Sequence, residues 1–151
     1  GLQDLEKQKI LLSRINGKNK YFKLNRENIQ AKLYLTQAEI YRTNLFFDKY
    51  TALKLFAKEL KTNTTKIIFG SFAKFLADKN SDLDLLVISK AKEKLPEHLV
   101  PNKIQQINIS EKDLASAMVR EPLMREVAWH HIILNNHAFY VELMWQNEKR
   151  Y

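Results

Sequence analysis

The stretch that decides the fold is Lys66-Ile-Ile-Phe-Gly70-Ser-Phe-Ala-Lys74, followed by Ser81-Asp-Leu-Asp84-Leu-Leu-Val-Ile88. Residues Lys66 to Phe69 read as a short buried strand, closed by Gly70 and Ser71. Phe72 to Ala77 reads as one or two helical turns, and Leu83 to Ile88 as a second strand. Asp82 and Asp84 stand two apart, so on a strand both carboxylates face one side. Two like charges side by side repel, and burial adds a desolvation cost. A packed core has no use for that pair, whereas a divalent cation with oxygen ligands offsets it. Gly70 and Ser71 offer backbone N–H groups to a phosphate where the strand gives way to a helical turn. Glycine permits the close approach, the serine hydroxyl adds a contact, and Lys74 reaches the same anion one turn later. A phosphate cradle beside a carboxylate metal site is what nucleotide chemistry requires. The P-loop alternative fails, because no second glycine follows Gly70.

Outward from this centre, helical and strand patterns alternate. A short helix is expected over 2–9. Apolar runs at 10–15 and 20–24 flank Asn16-Gly17, a hairpin turn signal because both residues tolerate positive φ. Asn25 is placed to cap a helix in which Ile29, Leu33, Ile40 and Leu45 recur. A second helical stretch carries Tyr50, Leu53, Phe56 and Leu60. After a loop with Pro96 and Pro101, Lys103 to Ile109 reads as a third strand. Ser110 with Asp113 resembles a capping box. Pro122 suits the first turn of a helix ending near Asn135-Asn136, and His137 to Trp145 reads as the last helix. The expected class is α/β or α+β: a small mixed sheet flanked by helices, with an N-terminal hairpin. The expected division is an N-terminal segment over 1–25, connecting helices over 26–61 and a site-bearing domain over 62–151. Trp129, Trp145 and the aromatic residues at 45–56 are expected in the core. His130, His131 and His137 are expected to pack or lie at the surface rather than bind metal.

The chain has 151 residues, 45% of them hydrophobic, and no cysteine. That composition suits one globular domain, excludes disulfides and thiolate zinc sites, and fits a reducing cytoplasm. No run approaches the ~20 apolar residues of a membrane span, so no membrane partner is expected. Gly1 rather than Met opens the sequence, as in a fragment of a longer chain. The net charge of +8 is uneven: residues 1–65 hold 13 basic and 6 acidic side chains, and residues 66–151 hold 12 and 11. From Lys7 to Arg26 there are seven basic residues and no acid. Such a one-sided field favours a polyanion such as DNA.

The run Gly70-Ser-Phe-Ala-Lys74 with Ser81-Asp-Leu-Asp84-Leu-Leu-Val resembles the nucleotidyltransferases of the DNA polymerase beta superfamily, above all their minimal prokaryotic domains. The resemblance spans about residues 60–145. It implies a small mixed sheet with flanking helices and transfer of a nucleoside monophosphate from an NTP to an acceptor, a protein among the candidates. It also implies that Gly70 and Ser71, with Lys74, bind the triphosphate. ATP is the expected nucleotide. Asp82 and Asp84 would hold two Mg²⁺ (or Mn²⁺) as catalytic metal ligands. Two positions depart from the pattern. Phe75 stands where a glycine usually follows the basic residue. The third acid, on the next strand, is matched to Asn108 in Gln106-Ile-Asn-Ile109. An amide neither accepts a proton as a base nor adds negative charge, so Asn108 in the catalytic set predicts slow turnover.

The segment from Leu5 through the Gly17 hairpin to Asn25 is similar to the recognition-helix end and wing of a winged helix-turn-helix domain. That resemblance implies phosphate contacts from Arg14, Lys18 and Lys20. Two functions follow as expectations. One is a nucleotidyltransferase using an NTP and Mg²⁺. The other is a catalytically weak nucleotide-binding domain fused to a DNA-binding module, acting as a transcriptional or toxin–antitoxin regulator.

Overall fold

In the computed structural model, residues 1–147 are described. Helix α1 (Leu2–Lys7) precedes a hairpin of β1 (Leu11–Asn16) and β2 (Asn19–Leu24). The long helix α2 (Ile29–Lys49) and short α3 (Lys54–Lys58) lead to β3 (Thr65–Phe69), the single turn α4 (Gly70–Ala73), β4 (Leu83–Ile88) and β5 (Ile104–Ile109). Helices α5 (Glu111–Arg120) and α6 (Pro122–Trp129), strand β6 (Ile132–Ile133) and helix α7 (His137–Asn147) complete it.

A mixed sheet in the order β5-β4-β3-β6 is the centre, with β4–β5 parallel and the other pairs antiparallel. Every residue of β3 is buried, as in a strand covered on both faces: the apolar Ile67, Ile68 and Phe69, and with them Thr65 and Lys66. On one face, Ile68, Leu83, Leu85 and Val87 pack against Phe46 of α2 and Phe56 of α3. On the other, Ile67, Phe69, Leu86 and Ile88 pack against Leu114, Met124, Val127, Tyr140 and Met144 of α5, α6 and α7. The class is therefore the expected mixed α/β fold.

Four local expectations change. The hairpin loop is Gly17-Lys18, one residue beyond Asn16-Gly17, because Asn16 already pairs with Asn19. Gly17 takes φ +63°, as the first central residue of a primed turn does. Asn28, not Asn25, caps α2: its side chain accepts from the Gln30 amide at 2.9 Å. Both asparagines also donate to the Lys9 carbonyl just before β1, at 2.8 Å from Asn25 and 2.9 Å from Asn28, which ties the start of the hairpin to the start of α2. Helix α6 stops at Trp129 rather than near Asn135, since Ile132 and Ile133 are drawn into the sheet beside Ile68 and Ile67. Trp129 is 64% exposed, so it is a surface residue and not core. Of the histidines, His131 is buried with Nε2 2.9 Å from Glu39 Oε1, joining α2 to the β6 edge.

Candidate active site

Strand β4 sets the geometry. Asp82 precedes it and Asp84 lies within it, on the same face as Leu86 and toward α5–α7. Asp82 is exposed and Asp84 half-buried. Asp84 stands opposite Phe69 in the ladder, which places its carboxylate against Gly70. A Cβ on Gly70 would lie 2.2 Å from Asp84 Oδ2, and Gly70 has φ +69°. Glycine is thus required twice over, by the backbone conformation and by the carboxylate beside it. Burial first, then the charge of Asp82, then that of Glu126, raises the Asp84 carboxyl above its usual range. The ionised form is therefore disfavoured in the folded chain, a cost that a cation would offset.

Gly70, Ser71 and Lys74 are placed by α4 and braced from α2. Ser71 follows Gly70 in the turn. Lys74 closes it, and its Nζ lies 3.2 Å from Glu126 Oε1, both side chains a little over one-third exposed. Phe75 has φ +62°, the left-handed conformation that glycine adopts freely. A phenylalanine holds it because its ring packs on Phe46 and Tyr50 and lies under the Arg42 guanidinium at 5.2 Å. Arg42 also donates to the Ala73 carbonyl at 3.0 Å, and Lys49 to the Phe75 carbonyl at 2.7 Å. The backbone of the glycine pattern is kept, with packing in place of conformational freedom.

Asn108 does not face the aspartates. It is in register with Val87, on the opposite face of the sheet. There it donates to the Ala91 carbonyl at 2.9 Å and accepts from Gln106 at 3.1 Å, holding the loop after β4. The β5 residues on the aspartate face are Gln105, opposite Asp84, and Ile107, opposite Leu86. Gln105 Nε2 lies 3.4 Å from Asp82 Oδ2. Side chains alternate along a strand, so a one-residue slip in matching moves the whole set to the other face. The structure thus gathers Gly70, Asp82 and Asp84, links Lys74 to them through Glu126, and leaves out Asn108. Glu126 and Gln105 were not legible beforehand: one comes from a distant helix, the other is an ordinary glutamine on an edge strand.

The basic hairpin is divided. Arg14 and Tyr21 are cross-strand partners on one face, with the guanidinium 5.5 Å from the ring centroid. Lys20 is on the other face, toward α1, where its Nζ is 2.9 Å from Glu6 Oε2. Hydrogen bonds from Lys20 and Ser13 hold the Glu6 carboxyl below its usual range. Lys18 sits at the tip. The three residues therefore do not form one cationic patch, and Lys20 already has an acidic partner.

Among the described residues, no helix is long and apolar enough to cross a membrane. No curated protein and no solved structure matches the chain. A family model described as a nucleotidyltransferase domain matches residues 51–135, from the end of α2 to the loop before α7. An NTP substrate and a divalent metal go with such a domain. The match covers more than half of the 151 residues and takes in the Gly70 turn and both aspartates, so the chain belongs to the nucleotidyltransferase domain family.

Proposed function

We propose that this chain binds an NTP, ATP in the first instance, together with Mg²⁺ or Mn²⁺, and transfers the nucleoside monophosphate to an acceptor hydroxyl. The observation that supports this reading is the close approach of Gly70 and Asp84, which sets the Gly70–Ser71 backbone turn directly against the aspartate pair, with the Asp84 carboxyl raised by burial and by Asp82. The donor set fits a hard divalent cation: two carboxylates on one strand face, with no thiolate or imidazole among them. When bound, the cation neutralises charge on the carboxylates and the phosphates. Asp82 and Asp84 would hold it. Gly70 and Ser71 would bind phosphate oxygens through backbone N–H and hydroxyl, and Lys74 would add a cation. In the transfer, an acceptor hydroxyl oxygen would bond to the α-phosphorus as the bond to the departing pyrophosphate breaks, its proton passing to solvent. The test is calorimetric titration with ATP, with Mg²⁺ and with chelator. Metal should tighten binding at least about tenfold, roughly 1.4 kcal/mol, and Asp82→Ala with Asp84→Ala should abolish that gain. Binding indifferent to metal, or unchanged in the double variant, would overturn the reading.

A second reading is a nucleotide-binding regulator that contacts DNA through the hairpin. It is favoured by two observations: the aspartate-facing positions of β5 are Gln105 and Ile107, neither acidic, and Arg14, Tyr21 and Lys23 share the outward hairpin face. DNA binding should then weaken with salt at a log–log slope of about −0.9 per phosphate contact. Charge reversal at Arg14 and Lys18 should flatten that slope, and reversal at Lys20, already paired with Glu6, should do less. An equal effect at all three positions would count against this face, and a salt-insensitive wild type against the reading.

A further inference from the structure

We propose that Glu126 is the third acidic group of the nucleotide site, paired with Lys74 until a triphosphate claims that lysine and then turned to the divalent cation. The inference rests on the nucleotide reading above. Its ground is the arrangement of three elements. Strand β5 brings no carboxylate to the aspartate face, since Gln105 and Ile107 occupy it. Helix α6 lies across that face, with Met124 and Val127 buried in the same core cluster as Leu86. Glu126, beside Val127 on the flank of the helix, bonds Lys74 at 3.2 Å and lies close enough for its charge to act on Asp84.

Charge supports the assignment. Asp82, Asp84 and Glu126 bring three negative charges that Lys74 offsets only in part, and once a triphosphate takes Lys74 that excess is left for a divalent cation to cancel. Among the described residues no three acidic or imidazole groups already stand at metal-ligand spacing. Glu126 is drawn instead to the lysine, and an ion pair between side chains each more than one-third exposed is weak, so it exchanges readily. A triphosphate is the stronger partner for an ammonium, because it offers several charged oxygens where Glu126 offers two.

The experiment measures ATP affinity in chelator and in Mg²⁺ for the wild type, Glu126→Gln and Glu121→Gln. Glu121 is exposed at the start of the same helix, so it controls for the loss of one negative charge. In chelator, Glu126→Gln should bind ATP several-fold more tightly, because Lys74 is released and a like charge is gone. Its Mg²⁺ enhancement should fall at least tenfold, whereas Glu121→Gln should keep the wild-type ratio. Adding Lys74→Met to Glu126→Gln should remove the gain seen in chelator. If Glu126→Gln binds ATP with the wild-type metal enhancement, the proposal is overturned. So it is if Glu121→Gln loses the enhancement to the same degree, which would reduce the effect to general charge. A wild type with no enhancement at all is a different result, the failure of the nucleotide reading itself.

Discussion

Gly70→Ala is expected to fold, to lose about 1–2 kcal/mol of stability, and to lose metal-dependent ATP binding about a hundredfold or more. The two effects differ in size because the two strains relax differently. At φ +69° an alanine pays the left-handed backbone cost and has no way to avoid it short of moving the turn. The steric conflict is with Asp84 Oδ2 at 2.2 Å and Cγ at 3.1 Å, both in a side chain, while Asp84 Cβ at 3.4 Å is an ordinary contact. A rotation of the carboxylate relieves that conflict at small cost to folding. It also turns the carboxylate away from Asp82 and from the phosphate-facing turn, which is where the binding would be lost. Gly17→Ala is the control. It has φ +63° but nothing within 4 Å of an added Cβ, so the same backbone cost should appear with ATP binding unchanged. Urea melts and calorimetry on both variants decide the matter. If Gly70→Ala keeps ATP binding within threefold of wild type, the contact with Asp84 has no part in nucleotide recognition.

The contrast between these glycines shows which features a sequence carries openly. Strands β3 and β4 are readable because apolar runs bounded by Gly70 and by Asp82 have few other uses, and the hairpin is readable from Asn16-Gly17. The loop still shifted by one residue, since Asn16 is consumed by pairing with Asn19. The same one-residue ambiguity did more harm on β5. There the residues alternate as Ile104, Gln105, Gln106, Ile107, Asn108, with no clean apolar face, because β5 is an edge strand. Hydrophobic pattern therefore does not set the register, and Ile107 is 37% exposed while Asn108 turns inward to the Ala91 carbonyl. Strand β6 is shorter still. Two isoleucines after a helical stretch look like more helix. What makes them a strand is the free edge of β3, with Asn135 continuing the pairing through its side chain to the Lys66 amide at 2.8 Å and the Thr64 carbonyl at 2.7 Å. Glu126 belongs to the same class: its place beside Lys74 is a product of how α6 crosses the sheet, and no local spacing announces it.

The same β3 edge holds a buried ion pair, and its removal should be asymmetric. Lys66 has a fully buried side chain, with Nζ 2.8 Å from Glu93 Oε2 and 2.6 Å from both the Lys61 carbonyl and Thr64 Oγ1. Glu93, which also accepts from the Thr64 hydroxyl, keeps 15% of its side chain exposed. Glu93→Gln strands an ammonium with no route to water, and about 3–5 kcal/mol is the usual cost of leaving one buried charge unpaired. Lys66→Met leaves a carboxylate that can reach solvent, so it should cost clearly less, and the double variant should recover part of the Glu93→Gln loss. Acid provides the second readout. Burial alone would raise the Glu93 carboxyl, but hydrogen bonds from Lys66 and Thr64, with the charges of Lys66 and Lys61, bring it below its usual value of 4.5. A carboxylate lowered in the folded state stabilises above its unfolded value, because on acidification the unfolded chain takes up the proton first. Stability should therefore decline as pH falls below about 4.5 and continue to decline through the lower folded value. Lys66→Met removes the main source of that lowering, so its stability should fall less steeply over the same window. Denaturant melts from pH 7 to pH 3 on the four proteins give both answers. Equal losses for the two single variants, or an acid slope unchanged in Lys66→Met, would mean that the pair is solvated in solution and that the β3 edge is held by its backbone and Asn135 alone.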